Sequence, residues 1–193
     1  PGFPHPTETY RRLLQRIEAK KIPLAVARKG RQIDLGEGSR MLLIAPKDPL
    51  LSGTRSDANS NSVVLRLEMG NVSVLLTGDA EAPTERRIMK YPDELATTIL
   101  KVGHHGSRHS TTEAFLELVA PRVGIISCGR DNRYQHPHPE LLSRLVSQPM
   151  AVYRTDLHGT ITLRTDGTKW AMGTEHHVAW SAANHIGAQA SRS

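Results

Sequence analysis

Three groups of side chains in this chain have the types and spacing for metal-assisted hydrolysis. Asp79 follows the apolar run Val72–Leu76, in Thr77-Gly78-Asp79. His104 and His105 follow Ile99–Val102, in Gly103-His104-His105-Gly106-Ser107. His136 and His138 lie in Tyr134-Gln135-His136-Pro137-His138-Pro139, after the apolar run Val123–Ser127. Ionised carboxylate and neutral imidazole are ordinary ligands of zinc and manganese. In a layered α/β protein, sites form where the carboxyl ends of strands open into loops.

Taken alone, Asp79 is better explained as a cap on the following helix; the histidines in its company argue for a site. Adjacent histidines in a turn point different ways, so one can bind metal while its neighbour contacts substrate or acts as a general acid. Gly106 permits close backbone approach. Ser107 and Ser110 stand near a helix N-terminus and offer hydroxyls to phosphate oxygens. His136 reads as a ligand or catalytic residue, His138 as part of a turn, His109 as a solvated loop residue and His158 as a loop-shaping one. Arg154 or Asp156 can line a cleft. No serine sits in a G-x-S-x-G elbow, and neither a P-loop nor a G-x-G-x-x-G occurs.

The elements that must position these groups alternate. Thr7 caps a helix over Glu8–Lys20, with Tyr10, Leu13, Leu14 and Ile17 on one face. Leu24–Arg28 reads as a strand, Gln32–Leu35 as part of a hairpin-like region, and Arg40–Ala45 as a strand. Asp48–Asn61, rich in Ser, Asn and Gly, reads as a surface loop. Strands Ser62–Glu68 and Val72–Thr77 turn at Gly70-Asn71. Helix Ala82–Lys90, strand Thr98–Val102, helix Thr111–Val119 with Ser110 as its cap, strand Val123–Ser127, helix Pro139–Ser147 and strand Ala151–Arg154 follow. A last pair, Gly159–Arg164 and Lys169–Met172, turns at Asp166-Gly167. Thr174–Ser193 shows no periodicity and reads as a weakly ordered tail, which discounts His176, His177 and His185 as ligands.

A length of 193 residues with 38% hydrophobic content suits one domain with a real core, filled by aliphatic side chains since aromatics make up only 4%. The net charge of +6 and pI near 9.8 favour polyanionic partners through long-range attraction, although ordinary surface charge explains them as well. The single cysteine, Cys128, excludes a disulfide framework and a multi-cysteine zinc site, and its apolar setting reads as a small buried hydrophobe. No apolar run approaches the roughly 20 residues of a membrane span.

Five ordered stretches resemble one family: Asn61-Ser62-Val63-Val64-Leu65, Leu75 through Glu81, Leu100 through Ser107, Asn132 through Pro139, and Arg154-Thr155-Asp156. They look like the metallo-β-lactamase-fold domain at the C-terminus of the bacterial ComEC/Rec2 competence proteins, over about Tyr10 to Trp170. The resemblance implies a four-layer αββα fold within the α/β class and cleavage of phosphodiesters of incoming DNA with zinc or manganese. It implies Asp79, His104 and His136 as metal ligands and His105 and Ser107 as the residues meeting the phosphate. Read from their positions, Ser110 at the helix start and, among the basic residues Arg108, Arg130, Arg133 and Arg154 of the site loops, Arg133 and Arg154 are candidate substrate contacts, with ordinary surface charge as the alternative for the arginines. The resemblance further implies a membrane channel portion of the same parent protein as partner and a place on the extracytoplasmic face of the inner membrane. The early His-x-His-x-Asp-His motif usual in this fold does not occur; the only N-terminal histidine is His5. Residues 1–173 are therefore expected to be the C-terminal portion of the domain, inactive until the missing ligands are supplied. A hydrolase of a small phosphodiester and a non-catalytic DNA-binding remnant are the alternatives.

Overall fold

The computed structural model describes Gly2 and residues 7–177, which leaves His5, and the expected tail from residue 178 onward, outside the described residues. Helix α1 (Glu8–Ala19) is followed by strands β1 (Gln32–Gly36) and β2 (Ser39–Ala45), a helical turn α2 (Asp57–Ser60), and strands β3 (Val64–Met69) and β4 (Val72–Leu76). Then come α3 (Ala82–Ile88), β5 (Ile99–Lys101), α4 (Glu113–Val119), β6 (Val123–Ile126), α5 (Pro139–Val146) and β7 (Ala151–Arg154). A short α6 (Thr155–His158) leads to the hairpin β8 (Ile161–Thr165) and β9 (Trp170–Thr174).

Strands β1 to β7 form a seven-stranded sheet in sequence order. The first four are an antiparallel meander, and β4 through β7 run parallel, each crossover carrying one of α3, α4 and α5. The α/β expectation holds. Parallel neighbours need a crossover of a dozen or more residues, and the apolar runs followed by helix-forming stretches supply it. Leu75, Leu100 and Val152 lie on the sheet face that packs with Phe115, Leu116, Leu141, Leu142 and Leu145 from α4 and α5 into one core.

Buried Glu85 on α3 fixes the loop that follows the paired histidines. Its carboxylate accepts from the Thr111 N–H, from the Thr112 N–H at 2.9 Å and from the Thr112 hydroxyl at 2.6 Å. Burial pushes this carboxyl up from its usual 4.5 despite those bonds. A folded-state value above the unfolded one makes the folded protein hold the extra proton, so stability falls as pH rises from 4.5 through the raised value. Glu85→Gln is expected to flatten that part of a denaturation profile. Glu85→Ala, which orphans buried donors, should cost about 2–4 kcal/mol.

Several elements depart from expectation. Leu24–Arg28 forms no strand; Leu24 and Val26 are exposed, and the chain meets β2 from residue 30 onward, where the Gly30 amide donates to Leu43 and the Leu43 amide donates to Arg31. Helix α1 has its Thr7 cap but buries no residue, and Leu13 on its apolar face is 53% exposed. The segment 48–61 ends in α2, with Ser60 and Asn61 buried. Helix α4 starts at Glu113 with Thr112 at its cap position, because the Ser110 hydroxyl instead donates to the Gly103 and Ser107 carbonyls. At the far end, Thr174 belongs to β9, and the Glu175 and His176 amides donate to Thr160 and His158.

Candidate functional site

The parallel strands end side by side, and the loops after β4, β5 and β6 gather the chemistry-bearing residues at one sheet edge. Asp79 follows β4, with its amide donating to the Ser62 hydroxyl at 3.2 Å. After β5, His104 and His105 both take left-handed backbone angles, at φ +47° and +55°. Such angles cost a non-glycine residue about 1–2 kcal/mol each. The turn is held by the His104 amide donating to Gly78, the Gly103 amide donating to the Thr111 hydroxyl and the Ser107 amide donating to His104. Gly106 completes it at φ +92°, where a Cβ would stand 2.5 Å from Pro137 Cβ; only glycine lets the two histidine loops meet.

The imidazoles converge. The His104 ring lies 5.5 Å from that of His136, and His136 lies 4.8 Å from His138. His105 Nδ1 is 2.7 Å from the Ser127 carbonyl oxygen, which selects the tautomer donating from Nδ1. Its Nε2 then faces Asp79 Oδ1 across 3.6 Å. Two acceptors facing across such a gap suit a shared proton or cation, and the carbonyl-oriented ring is the arrangement common behind metal-binding histidines. His136 is lowered to about 4 by burial first and then by its imidazole neighbours, so it is a neutral donor at ordinary pH. His138 Nδ1 accepts from the Arg108 amide at 3.2 Å and ties the two loops together.

Two participants were not assigned from sequence. Glu81, with a side chain only 3% exposed, pairs with Arg55, accepts from the Asn59 amide group at 3.3 Å and stands 3.2 Å from His104 Nδ1. That ring nitrogen is buried and out of line for a hydrogen bond. Lys101, pulled down by burial and steadied by Asp79, projects from the end of β5. The signal for Glu81 was its spacing: two residues past Asp79 and immediately before the Ala82-Pro83 helix start.

Other expected site residues lie elsewhere. Ser107 and Ser110 are 2% and 0% exposed, with Ser107 Oγ accepting from His109 and Ser110 Oγ donating to carbonyls, so both hydroxyls are enclosed and engaged within the loop. Arg154 is 2% exposed and grips Asp156 through two bonds of 2.6 and 3.0 Å, as a buried ion-pair member. Asp156 also accepts from Cys128 Sγ at 3.2 Å, and burial, followed by that carboxylate, pushes the thiol up to about 12, which leaves it unreactive. Arg133 remains exposed with its guanidinium over the Tyr134 ring, which stacks on His136 at 5.8 Å.

The donors suit zinc or manganese in kind. They fall short in arrangement: among the described residues no three His, Cys, Asp or Glu side chains are placed to hold one ion. The expected trio Asp79, His104 and His136 shares the sheet edge without forming a preassembled centre. No helix of the described residues is long and apolar enough to cross a membrane.

No family model matches the chain. Over 106 residues, 55% of the chain and 14% of the relative, it is 44% identical to ComE operon protein 3 of Bacillus subtilis. Over 125 residues, 65% of the chain and 15% of the relative, it is 39% identical to Recombination protein 2 of Haemophilus influenzae. Competence protein ComA of Neisseria gonorrhoeae is 36% identical over 106 residues, 54% of the chain and 15% of its own length. The chain thus spans only a small part of the length of the curated relatives it matches.

Proposed function

The chain belongs to the ComEC/Rec2 family, and on that premise we propose that it is the metal-dependent phosphodiesterase portion of a DNA-internalisation protein, acting on incoming DNA. The observation that carries this reading is the convergence of Asp79, His104, His105 and His136 at the carboxyl edge of the parallel strands. Zinc or manganese is the ion whose donors these are in kind, with further ligands supplied by polypeptide outside this chain. His105, oriented by the Ser127 carbonyl, is the group best placed to hand a proton to a leaving oxygen once its Nε2 has taken up the proton it shares with Asp79. Exposed Arg133 and Arg108 flank the histidines and can follow a phosphate backbone.

The finer fold reading, a metallo-β-lactamase-like αββα sandwich, draws support from the sheet face turned away from α4 and α5. The strand register lines up Leu65, Leu76, Lys101 and Ile125 in one row there and Leu67, Val74, Ile99 and Val123 in the next; Ile99 and Val123 are buried, whereas Leu65, Leu67, Val74, Leu76 and Ile125 are only half-buried. A second sheet packed on that face would complete their burial. The same reading places the chain beside the membrane channel portion of its parent, on the extracytoplasmic side.

Elemental analysis followed by a cleavage assay on single-stranded DNA with added Mn²⁺ tests the proposal. A full-length relative should retain the ion and cleave, whereas this chain alone should bind ion weakly and cleave little. Binding that falls steeply with salt, with neither ion nor cleavage in the full-length protein, would replace the enzyme by a non-catalytic binding module.

A further inference from the structure

The opposite edge of the sheet carries a second constructed feature. The β8–β9 turn packs on the β3–β4 turn, with the Asn71 amide donating to the Gly167 carbonyl at 2.6 Å. A Cβ on Gly70 would stand 2.4 Å from that same oxygen, so glycine is required for the two turns to meet. Beside them opens a cavity of about 370 Å³ whose lining includes Arg66, Asn71, Thr98, Arg122, Thr168 and Trp170 and no acidic residue. Arg66 is committed: its Nε is 2.7 Å from Glu68 and its Nη1 donates to the Glu94 carbonyl at 3.0 Å. Arg122 is exposed, and among the described residues its guanidinium has neither ion pair nor hydrogen bond. Trp170 is half-buried at the cavity wall.

We propose that this cleft binds one nucleotide unit of a single-stranded nucleic acid, with the phosphate on Arg122 and the base against the Trp170 indole. A free cation next to neutral hydroxyl and amide groups, with no carboxylate in the lining, selects an anion. An indole in the lining of the same cavity selects an anion carrying a flat ring, and an unpaired base offers its face whereas a paired one does not. A volume of about 370 Å³ is of the size of one nucleotide. The choice of nucleic acid rests on the DNA-handling reading above, but the cleft is physically separate from the histidines. Val72 opens β4 and Asp79 lies beyond its other end at Leu76, so the strand alone sets the two places roughly 13 Å apart at about 3.3 Å per residue.

The test is fluorescence anisotropy of a labelled oligodeoxythymidine titrated with this chain in EDTA, which silences any metal-dependent step. Arg122→Glu and Trp170→Leu are each expected to weaken binding about 10-fold or more, the size of one lost stacking or phosphate contact. Arg122→Lys should recover part of the loss, and circular dichroism melts should show both variants folded. Oligonucleotide binding indifferent to both substitutions would overturn the cleft while leaving the histidine-edge reading intact. Equal competition by inorganic phosphate and by thymidine monophosphate, or equal affinity for a duplex, would also overturn it. Loss of cleavage in a full-length relative with cleft-dependent binding retained would sink the enzyme reading alone.

Discussion

Asp79→Ala in a full-length relative is expected to lower metal-dependent DNA cleavage by about 10²-fold or more, with little change in thermal stability. The stability half of this expectation follows from exposure. The Asp79 side chain is 41% exposed, so its removal buries no unpaired group, and the amide bond to Ser62 Oγ that fixes the backbone survives the substitution. The activity half follows from position. Asp79 is the carboxylate facing His105 Nε2, and it is also the charge that steadies Lys101 against its burial. Without it the edge keeps its imidazoles but loses the anion that gathers them around a cation. His104→Ala should fall in the same range, because that ring sits between Glu81 and His136. His138→Ala should do much less to catalysis, since its Nδ1 is occupied by the Arg108 amide. Equal damage from His138→Ala and His104→Ala, measured as initial rates at saturating Mn²⁺, would overturn the assignment of the late histidines.

How much of this was legible depended on whether a residue's partner is local. Strand β7 has the bounds read from sequence, and β4, β5 and β6 lie within a residue or two of theirs, because an apolar run before a helix start carries its own period and punctuation. The convergence of Asp79 with the histidines was legible for the same reason: each follows the carboxyl end of a strand, and parallel strands bring those ends together. The segment around Leu24 misled because alternating apolar residues state a face without stating what covers it. Helix α1 shows the same gap, with an apolar stripe and no burial. For Ser107, Ser110 and Arg154 the sequence states a polar group without stating its burial. A hydroxyl or guanidinium near a strand end looks available in sequence, and only tertiary packing reveals that it is enclosed. The left-handed angles of His104 and His105 had no signal beyond the glycines on either side of them.

Arg154→Ala is expected to destabilise the fold by about 3–5 kcal/mol, the usual cost of removing one member of a buried ion pair. Arg154 is among the largest fully buried side chains, and Asp156 is only 12% exposed. Truncation leaves that carboxylate with the Cys128 thiol as a neutral donor but without its cation. It also leaves a void beneath α6, where the Arg154 amide and the His158 ring are bonded at 3.0 Å. For a chain of this size the loss corresponds to a fall in Tm on the order of 10 °C. Breaking the pair from the other side, with Asp156→Ala, should cost a similar amount. Replacing both by apolar residues of matching volume should cost far less, because no charge is then left unpaired. This pattern, a large single cost and a small paired cost read by chemical denaturation, distinguishes a structural pair from a ligand-facing arginine. Were Arg154→Lys to weaken DNA binding while leaving the denaturation midpoint unchanged, Arg154 would have to be returned to the binding surface.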